Sequence, residues 1–82
     1  MYHLYVLKCA DKTLYTGITT DVERRVREHN TGKLGAKYTR ARRPVTLVYA
    51  KKYKSRGAAL KAEAKLKAMP RAEKLILIQQ TS

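Results

Sequence analysis

Residues Tyr15 to Asn30 read YTGITTDVERRVREHN: a short strand closing at Gly17, a polar turn, then a strongly basic helix. At about 100° per residue, Val22, Val26 and His29 fall on one stripe of that helix. Arg25 borders the stripe, whereas Arg24 and Arg27 project outward. An arginine beside an apolar stripe adds little to a core, so its position asks for an anionic partner. The Thr20 hydroxyl and the Glu23 carboxylate stand at capping-box spacing, which predicts a helix start near Asp21 and an end near Asn30 and Gly32.

Working outward, Tyr2 to Lys8 carries aromatic and branched residues on both faces, the pattern of a strand covered on both sides. Cys9, Ala10, Asp11 and Lys12 supply a turn, and Thr13 to Gly17 returns as the second strand of a hairpin. Gly17 falls where the backbone must bend or be approached closely. Tyr5 and Tyr15 share a sheet face only if an odd number of residues separates the paired strand ends; an even loop puts the two phenols on opposite faces. Beyond the helix, TGKLGAKYTRARRP carries two glycines and five basic residues around Tyr38. Pro44 opens a third strand, Val45 to Lys51, in which Val45, Leu47 and Tyr49 alternate with Thr46, Val48 and Ala50. Ser55 caps a second helix over Arg56 to Ala68, Pro70 breaks it, and Arg71 to Gln79 forms a last short helix, although its LILI run also suits a strand. The expected architecture is α/β (α+β): one domain over 1–82, a small, mainly antiparallel three-stranded sheet flanked by helices, in chain order β-β-α-β-α-α.

The chain has 82 residues, 44% of them hydrophobic, with 19 basic against 6 acidic side chains and a formal charge of +13. Such an excess raises the energy of the compact state through self-repulsion and points to a polyanionic partner, nucleic acid first. Cys9 is the sole cysteine, which excludes an internal disulfide or a zinc cluster and reads as a buried structural thiol. MYHLYVLK lacks a charged leader followed by an apolar core, and no apolar run approaches the roughly 20 residues of a membrane span. A soluble, cytoplasmic protein without membrane contact is expected.

The second helix holds another misplaced charge. Ala59, Ala62 and Leu66 form its inward stripe, and Glu63 lies within it, the only acidic side chain between Lys51 and Arg71. An inward carboxylate is costly unless it pairs with a cation or holds a metal. The plain structural reading is an ion pair between Arg25 and Glu63, just as Tyr5 and Tyr15 could be ordinary sheet aromatics and His29 a helix cap or a satisfied core histidine.

His3-Leu4-Tyr5, Tyr15-Thr16-Gly17, the Arg25 to His29 spacing in RVREH, and AALKAE ending at Glu63 together resemble the GIY-YIG nuclease domain, most closely its small stand-alone bacterial members. The likeness spans nearly the whole chain in the family's order: two tyrosine motifs, arginine helix, basic loop, third strand, glutamate helix. Each motif is weak alone; five separated matches in order are specific. His3-Leu4-Tyr5 replaces Gly-Ile-Tyr and Thr16 replaces the usual isoleucine, but both tyrosines stay. There is no clear counterpart of the late polar residue, often asparagine, used by some members, and a second domain to supply target recognition is not expected.

The resemblance implies a metal-dependent endonuclease acting on DNA, structure-directed or weakly sequence-specific, of the kind used in repair or recombination. The alternative is a catalytically silent DNA- or RNA-binding module using the same basic face. In the nuclease, Tyr5, Tyr15, Arg25, His29 and Glu63 are the catalytic residues. Glu63 holds one Mg²⁺ or Mn²⁺, Arg25 clamps the scissile phosphate through its bidentate fork, and Tyr5 or Tyr15 positions or deprotonates the attacking water. His29 relays a proton or orients the phosphate, and Gly17 lets backbone approach the site. Lys33, Lys37, Arg40, Arg42 and Arg43 are the expected nucleic-acid contacts, with DNA ahead of RNA and binding that weakens steeply with salt. Phosphate contacts carry no direct base information, so targeting could come from a partner protein.

Overall fold

The structure, a computed structural model, describes residues 1–31, 39 and 41–81. Strand β1 (Tyr2–Lys8) pairs antiparallel with β2 (Leu14–Thr19), Lys8 opposite Leu14 and Tyr5 opposite Gly17. The paired ends therefore enclose Cys9 to Thr13, an odd connection, and Tyr15 lands opposite Leu7 on the same face as Tyr5. Backbone bonds from Cys9 N to Thr13 O and from Lys12 N to Cys9 O, both 2.9 Å, close the turn. Asp11 Oδ1 accepts from the Thr13 amide at 3.1 Å and its hydroxyl at 2.6 Å. Lys12 takes the left-handed conformation, φ 70°. The second strand runs two residues past the expected end at Gly17, because Ile18 and Thr19 continue the ladder opposite Leu4 and His3.

Strand β3 (Thr46–Tyr53) pairs antiparallel with the other edge of β1, giving the order β2-β1-β3. β1 is thus central, as its unbroken apolar run requires. Strict alternation along the third strand does not hold. Val6 faces Tyr49 but Leu7 faces Leu47, so Val48 is an extra residue, a bulge that switches the faces. Val45 consequently packs with Tyr5, Leu7 and Cys9, whereas Tyr49 packs with Leu4, Val6 and Leu66. Cys9 is a buried free thiol, as expected.

Helix α1 (Val22–Thr31) lies over the Tyr5 face, where Val26 meets the Tyr5, Leu7, Cys9 and Val45 cluster. Its cap is displaced by one residue from the expected box: Asp21 Oδ1 accepts from the Arg24 amide at 3.1 Å, and Thr20 is exposed. The Thr19 hydroxyl accepts from the Asp21 amide at 3.1 Å, fixing the cap from the strand side. At the other end the Asn30 amide locks onto the start of β3, accepting from Val45 N at 2.7 Å and donating to Val45 O at 3.1 Å.

Helix α2 (Arg56–Ala68) starts where Ser55 Oγ accepts from Ala58 N at 3.2 Å and ends as Met69 N donates to Leu66 O. It buries Ala59 and Leu66 on the opposite face of the sheet, and full burial of a leucine is worth about 1.5–3 kcal/mol. Pro70 precedes α3 (Arg71–Thr81), so the LILI run is helical, with Leu77 and Ile78 against the core and Leu75 and Ile76 exposed. Three antiparallel strands thus separate α1 from α2 and α3, in the expected chain order β-β-α-β-α-α.

Candidate functional site

Because Tyr5 lies opposite Gly17, its ring can cross the neighbouring strand: a Cβ built on Gly17 would sit 2.6 Å from the Tyr5 hydroxyl and 2.8 Å from Cζ. The close approach expected at Gly17 is made by this side chain. The Tyr5 hydroxyl reaches His29 Nε2 at 3.0 Å, and His29 Nδ1 lies 2.7 Å from Thr39 Oγ1. Tyr5 is 1% exposed, and His29 and Thr39 are fully buried. Tyr15, half-buried, completes the aromatic group, edge-on to His29 with centroids 5.1 Å apart and 6.4 Å from the Tyr5 ring. The hairpin register and the last turn of α1 together build this cluster, since neither strand nor helix alone brings the three rings into contact.

Arg25 reaches the same hydroxyl. Its guanidinium hydrogen-bonds Tyr5 and also donates to Glu28 Oε1 at 3.0 Å, one turn along α1. Arg24 Nε stands 3.7 Å from the other Glu28 oxygen. Burial alone would lower the Arg25 pKa, but bonds to Glu28 and Tyr5 more than offset it, so the guanidinium is raised above its ordinary value. On α2, Glu63 keeps its side chain 18% exposed and pairs with Lys67 Nζ at 3.6 Å. Arg25 and Glu63 therefore each have an ion-pair partner on their own helix, and Tyr5 is the group that feels both.

Burial pushes the Tyr5 phenol up to about 12; the Arg25 hydrogen bond opposes this, and Tyr15 and Glu63 add to it. Burial likewise pushes His29 down from 6.5 to about 4, with the Arg25 and Arg43 charges adding to that and Glu28 opposing it. At neutral pH the pair is a protonated phenol against a neutral imidazole. Among the described residues no three His, Cys, Asp or Glu side chains gather as a metal cluster. A lone, half-buried carboxylate such as Glu63 fits a hard cation that keeps most of its waters and takes its remaining ligand from a phosphate.

Of the expected phosphate contacts, Lys33, Lys37 and Arg40 lie outside the described residues, as does Tyr38. Arg42 and Arg43 are half-buried and tied into the fold. Arg42 Nε donates to Asp11 Oδ2 at 3.0 Å, and Arg43 Nε donates to the His29 carbonyl at 2.6 Å. Thr39, Glu28 and Asn30 have structural parts that the sequence reading did not assign. Glu28, at i+3 from Arg25, had a legible signal in its helical spacing; Thr39, in an aperiodic basic segment, had none.

No helix among the described residues is long and apolar enough to cross a membrane. Residues 1–75 match the model of the GIY-YIG catalytic domain. The UPF0213 protein of Syntrophus aciditrophicus is 56% identical over 78 residues, which cover 95% of this chain and 90% of that one. A second relative, the UPF0213 protein of Natronomonas pharaonis, is 53% identical over 77 residues, 94% of this chain and 89% of that one. The solution structure of the UPF0213 protein from Bacillus halodurans superposes with a TM-score of 0.63 at 42% identity, covering 98% of this chain and 85% of that one. A protein of E. faecalis superposes with a TM-score of 0.64 at 40% identity and the same coverage. With its tyrosine pair, arginine helix and glutamate helix in that family's order, the chain belongs to the GIY-YIG catalytic domain family.

Proposed function

We propose that this protein is a metal-dependent endonuclease that hydrolyses phosphodiester bonds, with DNA as the favoured substrate and repair or recombination as the setting. The reading rests on Tyr5: the largest of the fully buried side chains spends its hydroxyl on His29 and Arg25. Packing alone would be served as well by phenylalanine, without the cost of satisfying a buried hydroxyl.

In this mechanism Arg25 leaves part of its bonding to Glu28 and Tyr5 and grips the scissile phosphate, drawing the substrate over the phenol. Glu63 would hold an Mg²⁺ or Mn²⁺ ion, which when bound would neutralise phosphoryl oxygen charge. The attacking water gives its proton to Tyr5 Oη as the phenol passes its own proton to His29 Nε2. The water oxygen bonds to phosphorus, the bond to the leaving oxygen breaks, and that oxygen takes a proton from solvent. The arriving phosphate offsets the arginine field that helps to depress His29, so the imidazole becomes a better acceptor when substrate is present. Tyr15 walls the site and orients the water. Lys33, Lys37, Arg40, Arg42 and Arg43 hold the polyanion backbone, which leaves target choice to nucleic-acid shape or to a partner protein.

The test is cleavage of a labelled panel of duplex, flap, branched and single-stranded DNA and RNA with Mg²⁺ or Mn²⁺, run beside Glu63→Gln. We expect cleavage by the wild type and a loss of about 10³-fold in the variant with binding retained, as several kcal/mol of charge stabilisation disappear. Salt-sensitive binding without cleavage by either protein would instead establish a silent binding module, and undiminished cleavage by the variant would refute the role given to Glu63.

A further inference from the structure

Thr39 has no part in the chemistry described so far, yet it is fully buried and its hydroxyl oxygen lies 2.7 Å from His29 Nδ1. The neighbouring hydrogen bonds point to one direction for this contact. A guanidinium only donates, so the Tyr5 oxygen is the acceptor in its bond with Arg25. The phenol hydrogen then needs an acceptor of its own in a buried site, and His29 Nε2 stands 3.0 Å away. A neutral imidazole carries one hydrogen. If Nε2 accepts, that hydrogen is on Nδ1, and the Thr39 oxygen is its acceptor. The groups facing His29 are Tyr5 and Tyr15 from the hairpin, Arg25 and Glu28 from its own helix, and Arg43 and Thr39 from the segment leading into β3.

We infer that Thr39 is a positioning residue: its hydroxyl oxygen holds the His29 proton on Nδ1, so that the Nε2 lone pair faces the Tyr5 hydroxyl. The inference rests on the nuclease reading for its catalytic consequence and on geometry alone for the tautomer. With Nδ1–H anchored, Tyr5 can hand its proton to Nε2, and the imidazolium that forms keeps an acceptor at its far nitrogen. Without the anchor, the Nδ1 proton loses that buried acceptor and the imidazole gains by moving its hydrogen to Nε2. Nε2 would then donate to Tyr5 and could no longer take its proton, the failure seen whenever a catalytic histidine is held in the wrong tautomer.

The experiment is nitrogen-15 NMR of the His29 ring in the full chain at neutral pH, for wild type, Thr39→Val and Thr39→Ser, with single-turnover cleavage and nucleic-acid binding measured on the same samples. Valine keeps the branched shape and removes the hydroxyl; serine keeps the hydroxyl. The expected result is an Nδ1-protonated ring in wild type and Thr39→Ser, and a shift toward the Nε2-protonated form in Thr39→Val. Cleavage by Thr39→Val should fall roughly 10- to 100-fold, the range for losing a group that orients a functional histidine, with binding unchanged and serine restoring the rate. A wild-type ring protonated on Nε2 overturns the inference even if no variant folds, and so does a Thr39→Val protein with wild-type tautomer and rate. If neither protein cleaves but the tautomers differ as described, the nuclease reading fails and the role of Thr39 in setting the ring stands.

Discussion

Leu4 and Val6 point to one face of β1 and Tyr5 and Leu7 to the other, and all four are 3% exposed or less. Burial is equal, yet the two interiors differ in kind. Toward α2 and α3 the contacts are Tyr49, Leu66, Ala62, Leu77 and Ile78, a side built for packing. Toward α1 the same depth encloses the Tyr5 hydroxyl, the His29 ring and Thr39, polar groups that must each find a partner or cost about 1–3 kcal/mol. A sheet this small needs both faces for stability. The polar chain on one of them is where we place the site, and the other face is the scaffold that tolerates it.

The contrast can be broken from the packing side first. Leu66→Ala removes a nearly fully buried side chain and should cost about 2–5 kcal/mol in guanidinium unfolding while leaving the Tyr5–His29 bond intact below the transition. If the His29 ring resonances change as well, the faces are not independent. On the polar side, pH is the sharper tool. His29 titrates near 4 when folded against 6.5 ordinarily, so between these values the unfolded chain binds more protons. Stability should be full above about pH 6.5 and fall by up to about 3 kcal/mol as the pH drops toward 4. His29→Gln should flatten that slope in a series of urea titrations.

Gly17→Ala comes next. Its Cβ would meet the Tyr5 hydroxyl at 2.6 Å, so the phenol must move, costing about 1–3 kcal/mol and displacing the group that faces His29. Cleavage should suffer more than stability does. Smallest is Glu28→Gln, which removes a half-exposed partner of Arg25 at 3.0 Å and changes stability by less than about 1 kcal/mol. Released from that pairing, Arg25 should bind a short labelled duplex roughly two- to five-fold more tightly in a fluorescence titration.

What could be read from the sequence follows from how local each determinant is. Ser55 and Pro70 bracket α2, and its observed bounds, Arg56 to Ala68, are the expected ones. The inward place of Glu63 and the border place of Arg25 came from helical periodicity alone. The cap of α1 moved from Thr20 to Asp21 because two adjacent residues can both cap, and the Thr19 contact chooses between them. The bulge at Val48 was invisible because it is a property of two strands, not of one. The shared face of Tyr5 and Tyr15 depended likewise on the length of the connection, which the turn chemistry at Asp11 and Lys12 decides. Thr39 stayed hidden for a further reason: it meets His29 across a segment with no periodic pattern, and only three dimensions bring them together.

The measurement that bears most directly on the division between the faces is single-turnover cleavage by Tyr5→Phe, taken together with its unfolding free energy. The substitution keeps the ring and removes only the hydroxyl. If the buried phenol is there for chemistry, the rate falls by at least about 100-fold, as for loss of a proton-transfer group. Stability then falls by no more than about 1–3 kcal/mol, the cost of leaving its partners unsatisfied. A Tyr5→Phe protein that cleaves at the wild-type rate would contradict this and make the polar face a structural one.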